Sequence, residues 1–298
     1  LYRVHGPVNL VRLNQLIDLV DNPKWLFPRY TASYPEQMVT NGSIFERLQA
    51  GDVLILSGDV LEAKNLKAQD FSPEVIALND RMGIKDSRYV KFFTEECAKY
   101  RHVIYVMGNH EHYHFKFNKT YDHLKANLPS NVHLLEKESV EIDGVVFIGA
   151  TLWTDCNNGD PITMMTLQHG MNDYKTVTNH YKAKGLYYKL TPKVTYEDHI
   201  RAKMYISDTA RAAGDKPVVV CTHHSPSRKS MKPRYEHDFH LNGGYSSNLE
   251  EFITEHPNIQ VWTHGHTHDM FDYMIVIHVF CATHVVMQDG MILLHLLN

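Results

Sequence analysis

No apolar run in this 298-residue sequence approaches the roughly 20 residues that a membrane-spanning helix needs. Nothing at its start has the basic, apolar, small-residue order of a secretory leader. Cysteine is sparse: Cys97, Cys156, Cys221 and Cys281 lie far apart with no C-x-x-C pair. That argues against a disulfide framework and against a zinc–thiolate site, and it suits a reducing compartment. An excess of positive charge is also lacking. With 30 Lys and Arg against 34 Asp and Glu the formal charge is −4, so no global field draws nucleic acid or anionic lipid. The expectation is a cytoplasmic protein with no membrane partner and with nucleic acid disfavoured.

The bulk composition is ordinary, 43% hydrophobic and 21% charged, but it includes 21 histidines. Histidine is the commonest metal ligand and the natural acid or base near neutral pH, so the positions of these residues matter. Short apolar runs punctuate the chain: Val53–Leu56, Val103–Val106 before Gly108, Val145–Ile148 before Gly149, Val218–Val220 before Thr222, and Val261-Trp262 before Thr263. Runs of this length next to glycine read as buried parallel strands. Helical patterns fall at Val8–Leu19, Ile44–Leu48, Tyr89–Tyr100, Thr195–Ala213 and Asn248–Glu255. Strands alternating with helices predict a layered α/β domain. Residues 1–275 read as one domain, with the polar, Tyr-rich stretch 155–196 as a helical or loop insertion near the site.

Four polar clusters stand where an apolar run ends: Gly58-Asp59, Gly108-Asn109-His110-Glu111, Thr222-His223-His224 and Gly265-His266-Thr267-His268. In open α/β sheets, ligand sites form beyond the carboxyl ends of the strands. A glycine beside the polar residue allows a sharp turn and close backbone approach. A carboxylate can bridge two cations, and imidazoles with an amide oxygen complete N/O sites suited to Mn, Fe, Zn or Ni rather than Ca. Two such ions can clamp a phosphoryl group, while a histidine that is not a ligand protonates the leaving oxygen.

These clusters resemble the calcineurin-like metallophosphoesterase family, whose motifs run D-x-H, G-D, G-N-H-[D/E], H and G-H-x-H. The last four are present in order between Gly58 and His268. The runs Gly149–Asp155, Met171–Tyr174 and Thr222–Ser227 look like its bacterial and phage-type members. The resemblance implies a two-sheet β-sandwich flanked by helices in four layers. It implies that Asp59 bridges two ions, that Asn109, His223 and His266 complete one site, and that His268 serves the other. His110 would be the general acid or a stabiliser of phosphate charge, oriented by Glu111 or another carboxylate. The implied reaction is hydrolysis of a phosphate mono- or diester of a small molecule by metal-activated hydroxide. An impaired homologue that binds one ion or a phosphorylated ligand, and a nuclease, are the alternatives.

His224 follows a ligand and points to the opposite side if the segment is extended, which makes it a support or a substrate contact. Arg228 opens the basic run Arg228–Arg234, which reads equally as a solvated loop or as a phosphate contact. His112 and His114 read as surface or cleft residues. Asp238-Phe239-His240 mimics D-x-H but follows no strand.

Two motifs depart from the family. No D-x-H precedes Asp59, so the expectation is that the first strand lies upstream of Leu1. After Phe271-Asp272-Tyr273 the text diverges, yet codons read one base earlier permit Gly-Asp-Thr-Arg-Val-Leu-Cys-Asn-Pro-Arg-Gly-Tyr-Ala, which is like the family's ending. The expectation is a one-base frameshift near Ile275, leaving 276–298 as a shifted tail in which His278, His284 and His295 carry no selected function.

Overall fold

The structure is a computed structural model that describes residues 53–67, 72–83, 87–181, 186–268, 271–276 and 279–282. The expectations for Val8–Leu19, Ile44–Leu48 and the missing first strand lie outside these residues, as does most of the shifted tail expected over 276–298, of which 276 and 279–282 are described.

The apolar runs form strands because both of their faces are covered. β1 (Val53–Leu56), β2 (His102–Tyr105) and β3 (Val132–Leu134) make a parallel sheet in that order. β4 (Glu138–Ile142) and β5 (Val145–Ala150) follow as an antiparallel pair. β6 (Thr178–Tyr181) and β7 (Leu186–Lys189) form a separate antiparallel pair, a correction to the expectation of helix or loop over 155–196. β8 (Val218–Thr222), β9 (Ile259–Thr263), β10 (Asp272–Val276) and β11 (Val279–Ala282) extend the β4–β5 pair into a sheet ordered β10-β11-β9-β8-β5-β4. Its centre, β5, β8, β9 and β11, is parallel, with Val146 opposite Val218 and Val220 opposite Trp262.

Side chains that alternate along each strand separate two packing faces. Val53, Ile55, Ile104 and Val106 turn toward Phe147, Val219, Cys221 and Val261, so the two sheets enclose one core between them. Leu54, Leu56, Val103 and Tyr105 face outward onto Phe92, Phe93 and Leu124. Val146, Ile148, Val220 and Trp262 meet the third core with Ala202, Ile206, Phe252 and Ile253. Each such fully buried aliphatic or aromatic side chain contributes about 1.5–3 kcal/mol. The result is the expected sandwich of helix, sheet, sheet and helix.

The helices in chain order are α1 (Pro73–Met82), α2 (Ser87–Lys91), α3 (Thr120–Asn127), α4 (Pro161–Gly170), α5 (Asp173–Thr176), α6 (Pro192–Ala212), α7 (Phe239–Asn242) and α8 (Glu250–Thr254). Helix α6 starts on a proline at its first turn and buries Thr195, His199, Ala202, Ile206 and Ala210 on one stripe. The helix predicted over Tyr89–Tyr100 is not regular: α2 widens into a π turn at Phe92–Glu96 and tightens into a 3-10 turn at Cys97–Lys99. Tyr89, Val90, Phe92, Phe93 and Cys97 are all buried, a broader set than one straight stripe holds, and the wide turn brings them inward. β3, β4, α1 and α3 carry no expectation from the sequence. β4 is an edge strand whose exposed Ser139 and Glu141 hide its pattern, and β3 is only three residues long.

Candidate metal centre

The carboxyl ends of β1, β2, β8 and β9, two from each sheet, meet at one edge of the sandwich. After β1 the chain passes through Gly58 at φ +86° and Asp59 at φ +58°. His266 at φ +64° and His268 at φ +53° also lie in the left-handed region. Such residues each cost of the order of 1–3 kcal/mol and cluster where function needs a particular aim.

Glu111 ties the two turns of the first sheet together. Its fully buried carboxylate accepts from the backbone N–H of Asp59 (2.9 Å), Val60 (2.6 Å) and Gly108 (2.6 Å) and from the Tyr105 hydroxyl (2.7 Å). That differs from the expectation that Glu111 orients the His110 ring. Its oxygens are taken up by the loop backbone, and its influence on His110 is electrostatic.

The space here admits no side chain. A Cβ on Gly108 would stand 2.6 Å from the Asp59 backbone nitrogen, and one on Gly58 would stand 2.5 Å from His223 Nδ1. Gly108→Ala should therefore lose about 1–3 kcal/mol of stability through overpacking and lose Mn²⁺ binding with it. Thermal unfolding and calorimetric titration check this, and unchanged values for both would refute the close-approach account.

Three donor atoms converge on a fourth, the Nε2 of His223. Its Nδ1 lies 2.7 Å from the Ser57 carbonyl oxygen, which can only accept, so Nδ1 carries the hydrogen and Nε2 faces the cluster. Nε2 lies 3.0 Å from Asn109 Oδ1, 3.2 Å from His266 Nδ1 and 3.3 Å from Asp59 Oδ2. Ligands bonded at 2.0–2.2 Å around one ion stand about 3.0–3.5 Å apart, so this spacing fits a transition-metal centre with an N/O donor set. Asp59, His223 and His266 are also the group of three metal-type side chains found among the described residues. His268 is exposed and outside that group, although its charge bears on His266.

Burial alone would raise the Asp59 carboxyl, but His110, His223 and His266 hold it well below the usual carboxylate range. Burial would lower His110, yet Asp59 and Glu111 raise it above the ordinary histidine value. The protonated form of His110 is thereby favoured in a mostly covered position. Its backbone N–H donates to Asp59 Oδ1 at 3.0 Å, and its ring stacks on Tyr113 at 4.4 Å and 26°.

The structure brings Asp59, Asn109, His110, Glu111, His223 and His266 together and leaves His268 exposed beside them. His224 is buried. Its Nδ1 lies 3.2 Å from the Thr151 carbonyl, and its ring packs between Trp153 (5.0 Å) and His266 (4.2 Å), which makes it a support for the ligand ring. Arg228 is exposed, donating to Asn157 Oδ1 at 3.0 Å and lying over Phe239. His114 is a surface residue paired with Glu62. The expectation for His112 is corrected: it is buried, bonded to Thr120 Oγ1 at 2.8 Å and packed on Phe117 and Trp153. Asp238 and His240 lie away from the strand ends, and His240 pairs with Asp160.

Burial pulls the His112 imidazole down to about 3. The folded state therefore resists a proton that the unfolded chain accepts near pH 6.5, and stability falls as the pH drops below that value. Between pH 7.5 and pH 5 the loss from this residue should be about 2 kcal/mol. Urea midpoints across that range should fall less steeply in His112→Gln than in the wild type; parallel profiles would contradict the assignment.

Three site residues carried no role in the sequence reading: Asp173, Tyr113 and Tyr245. Asp173 is buried at 2% exposure and accepts from Asn109 Nδ2 at 2.6 Å. The Tyr245 ring packs against His266 in a tilted arrangement, with centroids 4.9 Å apart. Asp173 lies in the run Met171–Tyr174 that resembles the family's text, which is the signal that could have found it.

Residues 18–270 match the sequence profile of the family described as calcineurin-like phosphoesterase. An uncharacterised protein of Acanthamoeba polyphaga mimivirus is 27% identical over 205 residues, 61% of this chain and 67% of that protein. A polyphosphate kinase of Burkholderia cenocepacia is 42% identical over 82 residues, so that this chain spans only 12% of the kinase. The crystal structure of the phosphopantetheinyl hydrolase of Mycobacterium tuberculosis is similar in fold, with a TM-score of 0.54, 14% identity, and coverage of 94% of this chain and 89% of that one.

Proposed function

This chain belongs to the calcineurin-like phosphoesterase family, and from that premise we propose that it hydrolyses a phosphate mono- or diester of a small molecule at a two-metal site. Asp59, Asn109, His223 and His266 would hold one divalent ion (Mn, Fe, Zn or Ni), and Asp59 with His268 would serve the other. The observation that carries this reading is the convergence of Asn109 Oδ1, His266 Nδ1 and Asp59 Oδ2 on His223 Nε2 at 3.0–3.3 Å. When bound, the ions would supply charge to the phosphoryl oxygens and lower the pKa of water.

The chain's own residues then have distinct tasks. His110 holds a proton and delivers it to the ester oxygen as the P–O bond breaks. Tyr113 stacks on the His110 ring and limits its rotation. Glu111 fixes the turns that aim Asp59 and His110. A phosphorylated small molecule fits the −4 net charge better than a polynucleotide does. No helix among the described residues is long and apolar enough to cross a membrane.

Among the described residues one cluster of three metal-type side chains is found, Asp59, His223 and His266, which supports a one-ion, phospho-ligand-binding form as the rival reading. Metal content with turnover of p-nitrophenyl phosphate and its bis-ester separates the two. Two ions per chain, activity lost in EDTA and activity restored by Mn²⁺ are the expected outcome. One ion with no turnover of either ester would establish the rival.

A further inference from the structure

Asp173 lies outside all four ligand motifs, more than 60 residues along the chain from Asn109, yet its carboxylate reaches into the centre. The Asn109 side chain has two ends, and only its oxygen can bind a cation. Rotated by 180°, it would point N–H hydrogens at the ion. A carboxylate can only accept, so the Asn109 atom 2.6 Å from Asp173 Oδ1 must be the amide nitrogen. That places Oδ1 on the opposite side, 3.0 Å from His223 Nε2. The geometry points to Asp173 as the positioning residue that fixes the Asn109 amide with its oxygen turned toward the metal, an inference that rests on the metal centre proposed above.

The carboxylate can do this because its own place is rigid. It begins α5, and its neighbours Met171 and Tyr174 are buried in a cluster with Trp153, Leu167, Val177 and Leu190. The Tyr174 hydroxyl bonds Thr195 Oγ1 at 3.2 Å, which anchors α5 to α6. The Tyr113 hydroxyl donates to the same Asp173 oxygen at 3.3 Å and lies 3.4 Å from Asn109 Nδ2, closing the triangle. The stretch 155–196 thus supplies the acceptor that orients Asn109 on the β2 turn.

The test exchanges the two groups. Asp173→Ala should weaken Mn²⁺ binding by about 10–100-fold, the usual effect of removing a partner behind a metal ligand. Asn109→Asp should also weaken it, because it places two carboxylates at hydrogen-bond distance. The double variant Asn109→Asp, Asp173→Asn restores one donor and one acceptor in reversed order. It should bind Mn²⁺ at least about tenfold more tightly than Asn109→Asp alone. A residue that only supports the fold would show no such recovery. Binding is read by calorimetry on the full chain, and unfolding of each metal-free variant reports its folding. If Asp173→Ala does not fold, the comparison of Asn109→Asp with the double variant decides alone. Wild-type affinity in Asp173→Ala, or a double variant no tighter than Asn109→Asp, overturns the positioning role while leaving the metal centre intact. A wild-type protein that binds no Mn²⁺ overturns the metal centre, and this role with it.

Discussion

Replacing His223 by alanine should abolish Mn²⁺ binding and lower phosphoesterase turnover by at least about 10³-fold, corresponding to about 4 kcal/mol of lost charge stabilisation. His223 stands at the junction of the two sheets. Its Nδ1 is committed to the Ser57 carbonyl at the end of β1, while its Nε2 faces Asn109 from β2 and His266 from β9. Removing the ring deletes one donor and leaves the other three without their common neighbour. The Asp59 carboxylate, which His223 helps to hold ionised, loses part of its compensation as well. The fitting control is His256→Asn. His256 is buried but far in function, bonded to Ser207 Oγ at 2.9 Å and to the Phe252 carbonyl at 2.7 Å. That change should lower the unfolding temperature and leave Mn²⁺ affinity as it was. An His223→Ala protein with wild-type metal content and turnover would sink the assignment of the centre.

The second large effect separates chemistry from metal binding. His110→Asn should reduce kcat by about 10²–10⁴-fold, the range for loss of a general acid, with metal content unchanged. The bond that His110 gives Asp59 comes from the backbone N–H, so it survives the substitution. What disappears is a ring whose protonated form Asp59 and Glu111 favour against its burial. The loss should depend on the leaving group. A nitrophenolate departs without help, whereas an alkoxide needs a proton, so an alkyl phosphate should suffer more than p-nitrophenyl phosphate. Equal losses on both substrates would assign His110 to binding phosphate charge. Unchanged turnover would remove it from the mechanism.

Much of the site was legible because short-range rules govern where a polar residue leaves a buried strand. Apolar runs such as Val53–Leu56 and Val218–Val220 had to be covered on both faces, and each led directly into a Gly-, Asn- or His-bearing turn. His112 shows where that reading fails. It shares the alternating pattern of His110 and His114, yet the chain folds it against Trp153 and Phe117, a contact between segments that no local spacing encodes. The irregular helix after Ser87 fails for a similar reason: its buried set is defined by the sheet beneath it. Residues 1–52, which carry the helical patterns Val8–Leu19 and Ile44–Leu48, are outside the described part of the chain.

The sequence by itself determined the donor types and the strand ends that carry them: Asp59, Asn109, His223, His266 and the adjacent His110. It did so because a glycine-bounded turn after a buried strand has few conformations and few residues to present. Only the tertiary structure decided which atoms meet. Asn109 and His223 are 114 positions apart, and their 3.0 Å separation depends on how two sheets pack, which is set by the summed contacts of a core and not by either motif. The same packing turned Glu111 into a clamp on the backbone. It also brought Asp173, to which the sequence reading gave no role, within 2.6 Å of the Asn109 amide.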